Sequence, residues 1–343
     1  MSLDACEPAR VALPLCVKAR HIEPRDVMNV PIVDLTRDDA ASVVRRALHT
    51  TGFFYLAHDD ERVVARDVID DMFAHSKAFF RLPDDTKARL CGARGSGSNR
   101  GWTRVHEETL DAKNSTVGDS KEGMYIGREC TREELERGAA LVGRNAWPDE
   151  AEEPSISGHR RAMERYYDAM VRIGMRLLPL VAAALDLDED YFDQFWTPTH
   201  NSLLRPLRYA ATKSDAAAGK FAAGAHSDYG GLTILKTDDV PGLEIFIDGQ
   251  WVPVPPRPNA FIVNTGDLLE IWSNGRLRST KHRVMTNGDV ERFSAAFFFE
   301  PNYEAVVAPV VRNADEAPKY SAIKFGDYLL ARYSETYADF SQT

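Results

Sequence analysis

The chain has 343 residues, 44% of them hydrophobic and 27% charged, with a formal net charge of −10. That length and balance suit a soluble globular protein that buries its core without disulfides or structural metals. The acidic balance argues against a nucleic-acid partner, which needs a basic stripe for phosphates, and no apolar run approaches the ~18 residues of a membrane span.

The four cysteines (Cys6, Cys16, Cys91, Cys130) are irregularly spaced and form no Cys-x-x-Cys, so free thiols in a reducing cytoplasm are expected. Residues 1–29 read as an irregular leader. Asp4, Glu7, Pro8 and Pro14 interrupt any secretory apolar core, while a weak organelle address stays open. VPIVDL (Val30 to Leu35) then predicts a strand, with Thr36 and Asp38 as cap candidates for a helix from Ala40 to Thr50. Gly52 stops that helix, and Phe53 to Leu56 form the next strand. A second helical pattern covers Val63 to Arg81 and ends before Pro83.

Residues 91–158 lack periodicity but carry Trp102, Tyr125 and Trp147, so an ordered lid or substrate loop is expected there. Ser157 to Leu187 is strongly helical, with Pro179 predicted to kink or split it, and DLDEDYFDQF predicts a short helix. Beyond residue 203, short apolar segments alternate with turn signals, the pattern of a β-sandwich or barrel. A helix from Lys324 to Tyr337 closes the chain. The expected layout is a mostly helical region with its substrate loop at 30–200, a β-core at 201–312 and a C-terminal helix within 313–343.

Chemistry concentrates in GAHSDYGG. His226 and Asp228 are two apart, which on a strand puts both on one face. His282 follows 54 residues after Asp228 (282 minus 228), in another predicted strand. Two imidazoles and one carboxylate can grip one face of an octahedral ferrous ion and leave three positions open. Taken alone, His-x-Asp is weak, and a strand-end histidine before a turn aspartate explains it equally well.

Arg292 and Ser294 add weight, because a buried guanidinium beside a hydroxyl makes a carboxylate clamp. For these side chains to share the interior with His282, an odd hairpin loop such as Asn287-Gly288-Asp289 is required. Trp272 and Asn274 read as structural, Lys281 points away from the candidate metal, and the other seven histidines read as ordinary.

The run from GAHSDYGG through STKHRV to RFSAAFFFEPN, with VPIVDL, TGFFYLAH, AFFRLP, SNRGWTR, DSKEGMYIG and NAWP before it, resembles the isopenicillin N synthase-like group of 2-oxoglutarate/iron(II)-dependent dioxygenases. It spans roughly residues 30 to 335. The resemblance implies a double-stranded β-helix, or jelly roll, flanked by helices. It implies iron ligation by His226, Asp228 and His282, a 2-oxoglutarate clamp of Arg292 and Ser294, and Tyr209 close to the co-substrate. Leu207 stands where several relatives carry asparagine, which puts contacts on that side in question.

The implied reaction uses Fe(II), 2-oxoglutarate and O₂ to oxidise a small metabolite by C–H abstraction. Hydroxylation, desaturation and oxidative cyclisation are all compatible outcomes, with succinate and CO₂ released. Arg100, Trp102, Tyr125, Phe297 and Phe299 are expected to line the barrel mouth, although core packing explains the aromatics as well. An inward Arg100, or another pocket cation, would favour an acidic, amino-acid-like substrate. A cytoplasmic monomer or weak homo-oligomer is expected. Two other readings stay open: a same-fold iron oxidase that uses no 2-oxoglutarate, and an inactive jelly-roll binding protein.

Overall fold

Side-chain alternation along strands decides which groups can meet inside a β-structure. The computed structural model describes residues 30–58, 63–91, 98–138, 140–313 and 315–336. Cys6, Cys16, His21 and the leader lie outside the described residues.

The N-terminal half supplies β1 (Ile32–Val33), α1 (Ala40–Thr50), β2 (Phe53–Ala57), α2 (Arg66–Phe80), α3 (Asp84–Ala88), β3 (Gly101–Thr103), β4 (Lys121–Gly127), α4 (Arg132–Arg137) and α5 (His159–Ala184). The rest supplies β5 (Leu203–Tyr209), β6 (Ala223–His226), β7 (Leu232–Thr237), β8 (Leu243–Ile247), β9 (Gln250–Pro253), β10 (Ala260–Thr265), α6 (Asp267–Trp272), β11 (His282–Val284), β12 (Arg292–Phe299), β13 (Val306–Val307), β14 (Ile323–Lys324) and α7 (Phe325–Thr336).

A major sheet in the order β1-β2-β10-β7-β12-β5-β4-β3 faces a minor sheet β6-β11-β8-β9. Phe53, Tyr55, Leu207 and Ile262 of the major sheet meet Ala223, Leu243, Ile245 and Val284 of the minor sheet in one apolar cluster. This is the jelly-roll interior. The major sheet's other face carries Phe54, Leu56, Phe261, Val263, Ala295, Phe297 and Phe299 into a larger core with α1, α2 and α5. No helix among the described residues is long and apolar enough to cross a membrane.

Several expectations change. The 91–158 stretch, expected as loop, holds β3 and β4, and with β1 and β2 it gives the major sheet four of its eight strands. The N-terminal region is therefore part of the sheet rather than a layer packed on it. β4 was hard to read because all seven of its residues are buried, Lys121 and Glu122 included, so no polar–apolar alternation marks it. Pro179 neither splits nor ends α5, which runs 26 residues through it. Asp39, not Thr36 or Asp38, occupies the cap of α1, and DLDEDYFDQF forms turns rather than a helix.

The expected hairpin is absent. β11 pairs with β6 and β8, whereas β12 pairs with β5 and β7. The chain crosses from one sheet to the other between them, so His282 and Arg292 share the interior by facing sheets and no turn length is required.

Phe297 and Phe299 do not line the barrel mouth. Phe297 meets Tyr167 of α5 edge-on at 5.2 Å, and Phe299 stacks on Trp196 at 5.5 Å. Gly174 lets α5 approach so closely that a Cβ there would lie 2.6 Å from the Phe299 ring. The physical reason is parity: Arg292 and Ser294 point inward, so the odd-numbered residues of β12 point at the helices. Replacing Phe297 with alanine should therefore lower global stability by about 3–5 kcal/mol through the cavity left under α5. Urea denaturation followed by circular dichroism checks this, and a loss below about 1 kcal/mol would contradict the placement.

Candidate metal centre and adjoining cavity

β6 ends at His226, and its neighbour β11 begins at His282, directly opposite it in the antiparallel register. The two imidazole centroids are 4.3 Å apart. Asp228 lies just beyond the end of β6, in the turn that leads to β7, rather than within a strand. Its Oδ1 is 3.7 Å from Nε2 of His226 and 3.6 Å from Nε2 of His282. The ligand atoms of all three lie within 4.8 Å of one another, close enough to hold one metal ion.

Other groups aim these atoms. The Nδ1 of His226 bonds the Gly224 carbonyl at 2.8 Å, and the Nδ1 of His282 bonds the Thr280 carbonyl at 3.1 Å. A carbonyl only accepts, so each Nδ1 carries the proton and each Nε2 presents its lone pair to the centre. The second oxygen of Asp228 accepts from Thr233 Oγ1 at 2.5 Å and Asn264 Nδ2 at 2.6 Å, both on the major sheet. Burial, with His282 beside it, pushes His226 well below the ordinary histidine range and keeps it neutral. Burial alone would raise Asp228, but the two imidazoles and the bonds from Thr233 and Asn264 outweigh it and hold the carboxyl below its usual range. A neutral imidazole beside an ionised carboxylate is the state that binds a divalent cation.

Further along the same interior, Arg292 and Ser294 are 1% and 2% exposed. Arg292 Nε donates to the Val240 carbonyl at 3.2 Å, and its guanidinium lies 4.9 Å over the ring of Tyr209. Arg292 Nη1 and the Ser294 hydroxyl have no hydrogen-bond partner among the described residues. Two orphaned buried donors one pleat apart fit a carboxylate. Lys121, Tyr209 and Arg292 form a row across β4, β5 and β12, and Leu207 sits opposite Ser294.

A cavity opens beside His226 and Asp228. Tyr125, Leu203, Phe298, Leu329 and Tyr333 form its apolar walls, and Glu108, Asp228, Glu300 and Arg205 are the carboxyl and guanidinium groups set among them. Of the residues expected at the barrel mouth, only Tyr125 lines it. Trp102 points to the helical side, where its indole N–H bonds Glu122 at 2.8 Å and Lys87 lies 4.8 Å over its ring. Arg100 is buried against Gly127 with its guanidinium bonded to the Ser98 carbonyl, outside the lining. Sequence reading missed Phe298 and Glu300, although the alternation that selects Arg292 and Ser294 also selects 296, 298 and 300. Leu329 and Tyr333 carried no local signal, because α7 reaches the cavity from the far end of the chain.

Glu300 Oε2 accepts the Gly231 N–H at 3.0 Å, and burial, with the nearby Asp228 charge, pushes its carboxyl up to about 8. A Cβ on Gly230 would lie 1.5 Å from that oxygen, so the Gly230-Gly231 turn makes room for the acid.

Two outcomes are expected. Asn264→Leu should weaken binding of a divalent ion by about 10- to 100-fold while leaving the fold intact, as read by metal titration. The second concerns pH. The folded protein keeps a proton on Glu300 that the unfolded chain releases, so this residue's contribution to stability falls as pH rises from about 4.5 to about 8. Glu300→Gln should flatten that decline in the Tm of metal-free protein, and an unchanged slope would contradict the assignment.

Comparison with known proteins agrees with this geometry. The family model for the 2OG-Fe(II) oxygenase superfamily matches residues 201–301, and that for the non-haem dioxygenase N-terminal region, named for morphine synthesis, matches 30–150. Kihadalactone A synthase LFS of Citrus sinensis is 31% identical, over 91% of this chain and 94% of its own. The 2-oxoglutarate-dependent dioxygenase citB of Monascus ruber is 31% identical, over 95% and 98%. A full-length Neurospora crassa protein, crystallised in complex with alpha-KG and 5-formyluracil, superposes with a TM-score of 0.78 at 28% identity, covering 94% of this chain and 100% of that one.

Proposed function

The chain belongs to the 2-oxoglutarate/iron(II) oxygenase superfamily, and we propose that His226, Asp228 and His282 hold its ferrous ion while Arg292 and Ser294 hold the far carboxylate of 2-oxoglutarate. The enzyme is a 2-oxoglutarate-dependent dioxygenase that oxidises a small-molecule metabolite, releasing succinate and CO₂. The observation that carries the residue assignment is the convergence of three ligand atoms from a strand pair and its following turn.

When bound, iron and 2-oxoglutarate supply with O₂ the oxidant that abstracts a substrate hydrogen. The protein's own residues then do three things. The Gly224 and Thr280 carbonyls fix the imidazole tautomers, while Thr233 and Asn264 turn one Asp228 oxygen away and leave the other for the metal. Arg292 and Ser294, unpartnered without a ligand, supply donors for the dicarboxylate, with Tyr209 beneath the guanidinium. That pair of orphaned donors favours a 2-oxoglutarate-using enzyme over an oxidase that takes all its electrons from substrate. The apolar walls around Phe298 and Leu329 exclude water and hold substrate beside His226 and Asp228.

Tyr125 is our candidate substrate contact from the sequence reading, joined by Phe298, Arg205 and Glu300. An acidic, amino-acid-like substrate would be favoured by an inward Arg100 or another pocket cation. Arg100 is buried outside the lining, and Arg205, which does line the cavity, is paired with Glu108, so both speak against it. Free Cys91 and Cys130 support a reducing, cytoplasmic setting. Exposed large apolar side chains among the described residues number only six, which supports a monomer or weak homo-oligomer, and the net charge of −10 speaks against a nucleic-acid partner.

Arg292→Ala should weaken 2-oxoglutarate binding by about 100-fold and leave metal binding unchanged. Calorimetry with Mn(II) in place of Fe(II) reads both. Wild-type protein that consumes O₂ without forming succinate would refute the reading.

A further inference from the structure

The cavity's charges bear on what it accepts. Arg205 is the only cationic side chain of Lys or Arg type among its lining residues. Both terminal nitrogens of Arg205 already bond Glu108, at 3.1 and 3.0 Å, and its guanidinium lies 4.3 Å over the Tyr125 ring. Glu108 also takes Lys121 at 2.8 Å, and Lys121 has Asp119 as a second partner. All four groups are nearly fully buried, so the network is charge-balanced within itself.

Among the described lining residues, no uncompensated Lys or Arg is left for an incoming anion. Across the cavity stand Glu300 and Asp228. At the metal end, a ferrous ion and Arg292 would carry three positive charges against the three negative ones of Asp228 and the two carboxylates of 2-oxoglutarate. A substrate carboxylate would enter a low-dielectric space beside Asp228 with no uncompensated cation to pair with. A substrate amine would have to share that space with the fixed Arg205 guanidinium. The remaining wall is apolar and largely aromatic: Tyr125, Phe298, Leu329 and Tyr333.

We propose that this cavity selects an uncharged, ring-bearing molecule whose carbonyl or hydroxyl edge meets the Arg205–Glu108 pair, and that it rejects carboxylates. The inference rests on the iron and 2-oxoglutarate assignment above and adds the substrate class to it. Arg205 acts here as a neutralised pair that donates hydrogen bonds, and Glu108 is the residue that keeps it from acting as an anion receptor.

The test uses full-length protein loaded with Mn(II) and 2-oxoglutarate, and a panel of phenyl and naphthyl scaffolds. Each scaffold is offered as carboxylate, primary amide and amine, and binding is read by calorimetry and thermal shift. The amide of each set should bind at least about tenfold tighter than its carboxylate and its amine. Glu108→Gln, which leaves the Arg205 charge uncompensated, should shrink the carboxylate deficit to about threefold or less. Carboxylates or amines that bind wild type as tightly as amides overturn the proposal, as does a panel in which no amide binds. A folded Glu108→Gln variant with an unchanged deficit overturns the role given to Glu108. Co-substrate binding is measured first. Failure there refutes the underlying assignment, and with it this inference. Intact co-substrate binding with a reversed order of ligands refutes the substrate class alone.

Discussion

One carboxylate joins the two sheets. Asp228 leaves the minor sheet at the end of β6, yet its Oδ2 is bonded by Thr233 and Asn264 of the major sheet, so its Oδ1 can face only the two histidines. An ionised carboxylate inside a barrel is expensive unless each oxygen has a partner. Thr233 and Asn264 satisfy one oxygen, and the proposed ferrous ion satisfies the other. The same constraint orders the turn that follows, where the Asp228 carbonyl accepts the Asp267 N–H at 2.8 Å and so ties the start of α6 to the site.

The interior is polar where chemistry requires it and apolar where the sheets need to adhere. Arg292 and Ser294 have unpartnered donors in a buried setting among the described residues, a cost that a bound carboxylate would remove. Glu108, Lys121 and Arg205 show the opposite arrangement, with each charge compensated by a side chain of the same network. The contrast is between two sets of buried groups: Arg292 and Ser294 with donors unsatisfied, and Glu108, Lys121 and Arg205 already balanced.

The outer face works differently. α5 packs its apolar stripe against the odd-numbered residues of β12, and Gly174 allows the close approach. This support holds the inward row of β12 from behind. At the other end of the chain, α7 places Leu329 and Tyr333 in the cavity wall and is fastened there by Tyr229 against Thr336 at 2.6 Å and Tyr328 against Asp267 at 3.0 Å. A segment that read as a simple closing helix thus completes the cavity wall.

Much of this protein was legible in local pattern. Helices α1, α2 and α5 and the strands after residue 203 follow from periodicity, while His226, Asp228, His282, Arg292 and Ser294 stood out by residue type and spacing only together with the family resemblance. Parity along β12 even contained Phe298 and Glu300, had it been carried past Ser294. Only tertiary structure decided the rest. That β11 and β12 belong to facing sheets, that β3 and β4 join the major sheet, and that Glu108, Arg205 and Tyr333 meet at one cavity are pairings between segments far apart in the chain. Local sequence encodes which face a side chain takes on its own element. Which element lies opposite is set by the burial of both faces together, a property of the assembled sheets and not of any one segment.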